Sequence, residues 1–308
     1  MWSFFGFQHI VHAAGGDKPR PYSFTVPCTL QTPDFAVIGG MNTATSTIEA
    51  PATTGRAWRW AAAVATVGNI TLNYVSQAYP FNGQTNAVVS GKYPTPVTPA
   101  GYAFSIWGVI FLSLLAYTVW QLLPQQRRNP LPDLLARPLV LVNVLTGGWL
   151  VIFAYELLPL SALVMVGILA ALALAYGRLR RQARHEPATV PLWVNLPFGL
   201  YLGWISVALV VNATVALGQY WQPGPAKGLE WGIILMGIVA GLALNITNRF
   251  RELAYPAAVA WGLVGIWVAR NGVPDTQFLA GAALLAAAVV AVGALGLVWA
   301  AQRGPAVG

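Results

Sequence analysis

The sequence predicts an all-α, polytopic membrane protein with eight spans, and three observations carry this. First, 56% of the 308 residues are hydrophobic and only 8% are charged. A soluble domain carries roughly 25% charged residues, so lipid must cover much of this surface. Second, from Trp58 onward apolar runs alternate with short polar or basic breaks, and the runs have the length of about 20 residues that crosses hydrocarbon. Third, eight spans sort the cations behind Trp58 and its flank very unevenly: 12 fall on one side and 3 on the other. Such a bias sets orientation and puts both termini in the cytoplasm.

Residues 1–57 are rich in Thr, Pro, Ala and Gly and have no sustained apolar period, so they read as a poorly ordered tail. The apolar opening lacks the basic flank and long core of a secretory signal. Met41, just after Gly39 and Gly40, is an alternative start. Spans then follow at 58–78, 101–123, 138–156, 159–177 and 190–217. A loop covers 218–229, three more spans occupy 230–247, 253–270 and 277–300, and 301–308 form a tail. Arg127, Arg128 and Arg137 separate the second span from the third; Arg178, Arg180, Arg181 and Arg184 separate the fourth from the fifth. Only Glu156, Leu157, Leu158 and Pro159 part the third from the fourth, a tight hairpin in which Pro159 suits a first helical turn. Residues 79–100 form the longest outer loop, with prolines at 80, 94, 96 and 99. It is too polar for lipid and too long for a plain turn, and serves either as a lid over a site or as a passive linker.

Composition also excludes functions. Cys28 is alone, so neither an intrachain disulfide nor a Cys cluster for a metal can form. His9, His12 and His185 lie outside the spans, and all nine acids fall in the tail, in loops or at helix ends. Proton pumps and ion-coupled carriers hold titratable groups at depth, so those roles are disfavoured. The net charge of +8 sits in short clusters between spans, a topology signal and not a nucleic-acid stripe. No Ser/His/Asp set, P-loop, paired carboxylate or dinucleotide fingerprint occurs. Catalysis, a metal site and a resident cofactor are therefore not expected.

The polar groups at depth are amides and hydroxyls. Asn69 and Asn73 share one face of the first span, Asn143 and Thr146 lie in the third, and Asn212 and Thr214 in the fifth. They serve either as interhelical glue or as the polar points of a cavity. Of the 13 tryptophans, eight, Trp221 and Trp231 among them, sit at the expected interfaces as an aromatic belt, while Trp107, Trp149, Trp204 and Trp261 lie deeper. Trp107, Trp149 and Trp204, on three neighbouring helices, suggest a stacking pocket for a flat porphyrin- or sterol-like ligand. Gly237 and Gly241, like Gly293 and Gly296, predict close helix contact; they leave a homodimer open.

Three segments resemble the TspO/MBR family of tryptophan-rich sensory proteins over residues 58–217. Pro99-Ala100-Gly101-Tyr102-Ala103-Phe104 followed by Trp107 is similar to the family's opening of its second helix. Trp149 matches a third-helix Trp. Tyr201-Leu202-Gly203-Trp204-Ile205-Ser206-Val207-Ala208 with Asn212 is similar to the fifth-helix pattern YLxWVSxAxxxN. Ala100, Tyr102, Thr146 and Leu200 stand where the family has Pro, Trp, Asn and Pro. The resemblance implies a five-helix TspO-like bundle extended here by three additional transmembrane helices. It also implies an apolar, aromatic-lined cavity under the first loop, for porphyrins, sterols or heterocycles. Tyr102, Phe104, Trp107, Trp149 and Trp204 would stack on the ligand, and Asn73, Thr146 and Asn212 would orient it. The expectation is an integral receptor or sensor in a bacterial-type inner or plasma membrane, whose partners are the lipid bilayer and a hydrophobic small molecule, with no nucleic acid. A transporter of neutral or hydrophobic molecules and an assembly partner of another membrane protein are the alternatives.

Overall fold

The computed structural model describes residues 52–221 and 224–303, and every regular element among them is helical. In chain order these are α1 (Ala52–Ala78), α2 (Asn86–Lys92), α3 (Ile106–Leu122), α4 (Leu131–Ala154), α5 (Leu158–His185), α6 (Asn195–Gly218), α7 (Pro225–Phe250), α8 (Ala254–Arg270) and α9 (Gln277–Gln302). Single 3-10 turns at Gly101–Ser105 and Leu192–Val194 lead into α3 and α6.

All eight expected spans are helices, with shifted ends. α1 opens at Ala52, so residues 52–57 are helical and not tail; the rest of the expected tail, with Met41, lies outside the described residues. α4 opens at Leu131 instead of 138. Pro132 suits the first turn, Asp133 sits at the positive end of the helix dipole, and the Asn129 side chain accepts from the Leu131 amide at 2.9 Å. α2 was not expected. It lies inside the 79–100 loop, started by Thr85, whose hydroxyl accepts from the Val88 amide at 3.3 Å. Among the described residues six helices are long and apolar enough to cross a membrane. The two expected spans outside that set are α1, interrupted by Arg56, Arg59, Asn69 and Asn73, and α8, whose 17 residues stand at the lower limit for a span.

The helices run alternately up and down, and hydrogen bonds sort the arginines by end. At one end Arg59 forks onto Asp133 (2.6 and 2.7 Å) and donates to the carbonyls of Gln126 and Asn129. There too Arg180 donates to Asn195 at 2.8 Å and to the Phe250 carbonyl, and Arg184 to the Arg249 carbonyl at 3.0 Å. Arg59 is buried two turns into α1 and ties that helix to the start of α4.

Packing runs in sequence: α1 on α4, α4 on α5, α5 on α6, α6 on α8, and α8 and α7 on α9. The α6–α8 seam is the tightest. A methyl group at Gly203 would stand 2.5 Å from the Tyr255 carbonyl oxygen and 2.9 Å from the Ala258 Cβ. One at Gly199 would stand 2.7 Å from the Ala254 Cβ, and one at Gly262 2.9 Å from Val207. The two helices thus meet backbone on backbone, the contact that small residues permit in lipid. Tyr255, fully buried, donates to the Ser206 hydroxyl at 2.9 Å across the same seam. The close contact expected of Gly237 and Gly241 is not made among the described residues: none of their atoms from another element lies within 4 Å of a Cβ built at either. Gly293 does pack tightly, against Leu244, and Gly296 does not.

The 79–100 loop is fastened at both ends. Glu156, in the α4–α5 turn, accepts from Gln84 at 2.9 Å, from Lys92 at 2.8 Å and from the Tyr93 hydroxyl. Its backbone is left-handed (φ 58°), a region that residues other than Gly seldom occupy. These donors, Lys92 first, hold its carboxyl at about 2, below the usual 4.5, and the same bond pushes the Tyr93 phenol up. Beyond Tyr93, Arg270 at the end of α8 donates to the carbonyls of Thr95 and of Pro96, the latter at 3.3 Å. The Ala100 amide donates to the Gly265 carbonyl at 2.9 Å.

Two outcomes follow. Gly203→Ala lowers stability by about 1–3 kcal/mol, read as a fall in melting temperature in detergent, whereas Gly237→Ala leaves it within about 0.5 kcal/mol. Glu156→Ala raises amide exchange of residues 81–93 severalfold. Because the folded carboxyl lies below its ordinary value, protection in the unaltered protein holds from neutral pH down to 4.5 and fades as pH falls toward about 2.

Candidate functional site

The amides expected at depth form a ladder between α1 and α4. The Asn73 side chain donates to the Asn69 carbonyl and side-chain oxygens at 2.9 and 3.0 Å. Asn69 donates to Asn143 at 3.0 Å, and Asn143 to Thr66 at 3.0 Å and the Leu139 carbonyl at 2.8 Å. Asn73 is half-buried and the other members are buried. Each bond of this kind contributes about 0.6–2 kcal/mol to helix association. Thr146 donates to the Val142 carbonyl at 2.8 Å, so the fully buried Tyr201 is the donor in its 2.6 Å bond to Thr146. This bond joins α4 to α6.

The five expected stacking residues each meet a ring of the protein. Trp107 stacks on Phe111 (centroids 5.1 Å apart) and meets Tyr201 edge-on at 5.3 Å. Trp149 stacks on Phe153 at 4.9 Å, and Phe104 meets Trp204 edge-on at 5.9 Å. Tyr102 turns instead toward α8, edge-on to Trp261 at 5.4 Å, and the Trp261 indole N–H donates to the Ala103 carbonyl at 2.9 Å. A Cβ at Gly265 would stand 2.9 Å from both Pro99 and Ala103. The segment expected to stack on a ligand therefore also docks α8.

Two of the eight expected residues keep an unused polar atom. Among the described residues the Trp149 indole nitrogen has no partner, in a residue 7% exposed, and Asn212, 4% exposed, meets only the Ser161 hydroxyl at 3.0 Å. Ser161 has one proton and a shorter bond to the Leu158 carbonyl at 2.7 Å. Whichever way the Asn212 amide is turned, one of its atoms is unpaired. A buried unpaired donor costs about 1–3 kcal/mol; among the described residues Tyr117 and Thr118 of α3 also keep an unpaired hydroxyl.

An open cavity lies elsewhere, and its lining contains none of the eight. It has a volume of about 820 Å³. Its walls are Leu209, Val210, Ala213, Thr214 and Leu217 on one face of α6, and Gly228, Trp231, Gly232 and Leu235 on one face of α7. Tyr93–Val97 form the roof, with Pro96 resting on Gly228 and Gly232. Trp221 and Trp231 stand edge-to-face at one rim, 5.9 Å apart. The cavity exists because α7 reaches the bundle mainly through α9 and α8 and barely touches α6. The sequence marked two of these residues, Trp221 and Trp231, as interface tryptophans, and noted Thr214; the apolar wall positions carry no signal of their own.

Comparison with known proteins gives one result. The family described as TSPO-like protein matches residues 59–296, a span that takes in α7, α8 and most of α9. No curated protein and no solved structure matches. The match covers most of the chain and agrees with the all-helical bundle and its six apolar spans, and on that ground the chain is an integral membrane protein belonging to the TSPO-like family.

Proposed function

We propose that the protein is a membrane receptor or sensor that binds a flat, apolar small molecule, porphyrin- or sterol-like in shape, in the cleft between α6 and α7. The supporting observation is the cavity itself. At about 820 Å³ it falls in the range of small-molecule sites, about 300–1,000 Å³. Aliphatic side chains wall it, two indoles stand at its rim, and a fastened loop covers it. Thr95, Thr214 and Gln219 supply a few polar points to orient a ligand. Among the described residues its lining holds no carboxylate, imidazole or thiol, which favours binding without chemistry. The twelve arginines gathered at the opposite end favour a cytoplasmic location for that end, with the roofed cleft on the outer side.

A second reading has its own support. Ligand held among α1, α3, α4 and α6, by the eight residues expected from the sequence, would give the Trp149 indole and the Asn212 amide the partners they lack. It requires the paired rings of Trp107, Trp149 and Trp204 to part.

Titration of the purified protein with protoporphyrin, followed by tryptophan quenching, separates the two. Saturable quenching is expected, and Ala213→Trp, which fills the cleft, weakens the affinity about tenfold or more, the equivalent of 1.4 kcal/mol. Trp149→Phe combined with Asn212→Leu leaves it unchanged. The reverse pattern moves the ligand to the interior of the bundle, and no saturable quenching discards both readings.

A further inference from the structure

A second cleft, of about 630 Å³, lies at the arginine-rich end between α1, α4 and α5. Arg137 of α4, Arg178, Arg181 and His185 of α5, and Trp58 of α1 line it. The one carboxylate in the lining, Asp133, is already engaged by both arms of Arg59. Three guanidinium groups thus share a cleft whose only anion is neutralised. Two of the three are held in place: Arg137 lies over the Trp58 ring at 5.2 Å, and Arg178 donates to the Leu134 carbonyl at 2.9 Å. Arg181 is exposed and has no ion pair among the described residues.

The helix faces below the cleft say what kind of anion fits. On α4, Leu134, Arg137, Leu141 and Val144 follow one another along one face, as do Leu174, Arg178, Arg181 and His185 on α5. On each helix the face is basic at the bundle end and apolar toward the middle, and Leu141, Val144 and Leu174 are exposed. A soluble phosphate has no use for that apolar strip, while a lipid has acyl chains to lay along it. Basic pockets between helices at a membrane surface suit anionic headgroups, and guanidinium forks match phosphate oxygens.

We propose that this cleft holds the phosphate headgroup of an anionic phospholipid, with its acyl chains along α4 and α5. The test is native mass spectrometry of the full-length protein in detergent with equal amounts of phosphatidylglycerol and phosphatidylcholine. The protein retains phosphatidylglycerol in preference by about tenfold or more. Arg137→Gln/Arg178→Gln/Arg181→Gln reduces the preference to near parity, while Arg127→Gln/Arg128→Gln/Arg303→Gln, with the same loss of charge elsewhere at that end, keeps it. Should the first triple variant fail to fold by circular dichroism, Arg181→Glu alone, which leaves the Trp58 contact and the Leu134 bond intact, lowers the preference severalfold. An unchanged preference in these variants, or an equal loss in the second triple variant, overturns the proposal. Displacement of the lipid by excess inorganic phosphate overturns it in favour of a free-phosphate site.

Discussion

The close approach of α6 to α8 is the contact on which the arrangement depends. Lipid offers no hydrophobic drive for two helices to join, so association rests on van der Waals contact and interhelical bonds. Gly199 and Gly203 on α6 and Gly262 on α8 remove the side chains that would keep the axes apart. Once α8 lies along α6, α9 packs on α8 and α7 on α9. The chain then brings α7 back beside the C-terminal half of α6 without closing onto it. The slot is the space left by that geometry. The same α8 receives the Pro99–Phe104 segment through Gly265 and Trp261 and holds the roof through Arg270. Helix α7 thus forms one wall of the cleft and α8 fastens its roof, which accords with a family match that continues to residue 296.

The polar groups at depth divide into two kinds. Asn69, Asn73, Asn143, Thr146 and Tyr201 spend their donors on neighbouring helices or their own backbone, and are accounted for as glue. Trp149 and Asn212, like Tyr117 and Thr118 of α3, are not accounted for that way. Edge-to-face and stacked ring pairs add about 0.5–1.5 kcal/mol each beyond burial. Opening the interior to a ligand would disrupt several of these pairs at once, whereas the α6–α7 cleft is already open.

Much of this fold was legible in the sequence, for a physical reason. A span needs a long apolar run, and six such runs with two weaker ones, set apart by short polar or basic breaks, leave few alternatives. What was not legible depended on partners distant in the chain. Tyr102 and Phe104 read as rings that stack on a ligand, but Tyr102 packs on Trp261, 159 residues away, and no local pattern announces that contact. Gly237 and Gly241 have the same spacing as Gly199 and Gly203, yet among the described residues only the second pair meets another helix; spacing permits close packing and the partner decides it. Helix α2 is two turns long with a single capping Thr85, too short for periodicity to reveal. The cleft walls at Leu209, Ala213 and Leu235 are ordinary apolar residues. Nothing separates them from lipid-facing positions until α7 is placed.

Where a ligand sits is therefore the point on which the account turns. A photoactivatable porphyrin or sterol analogue, cross-linked to the protein in membranes and mapped by peptide sequencing, reports it directly. The account predicts label on residues 209–219 and 228–235 and on the Tyr93–Val97 roof. Label confined to the Phe104–Trp107, Thr146–Trp149 and Tyr201–Trp204 segments would contradict it.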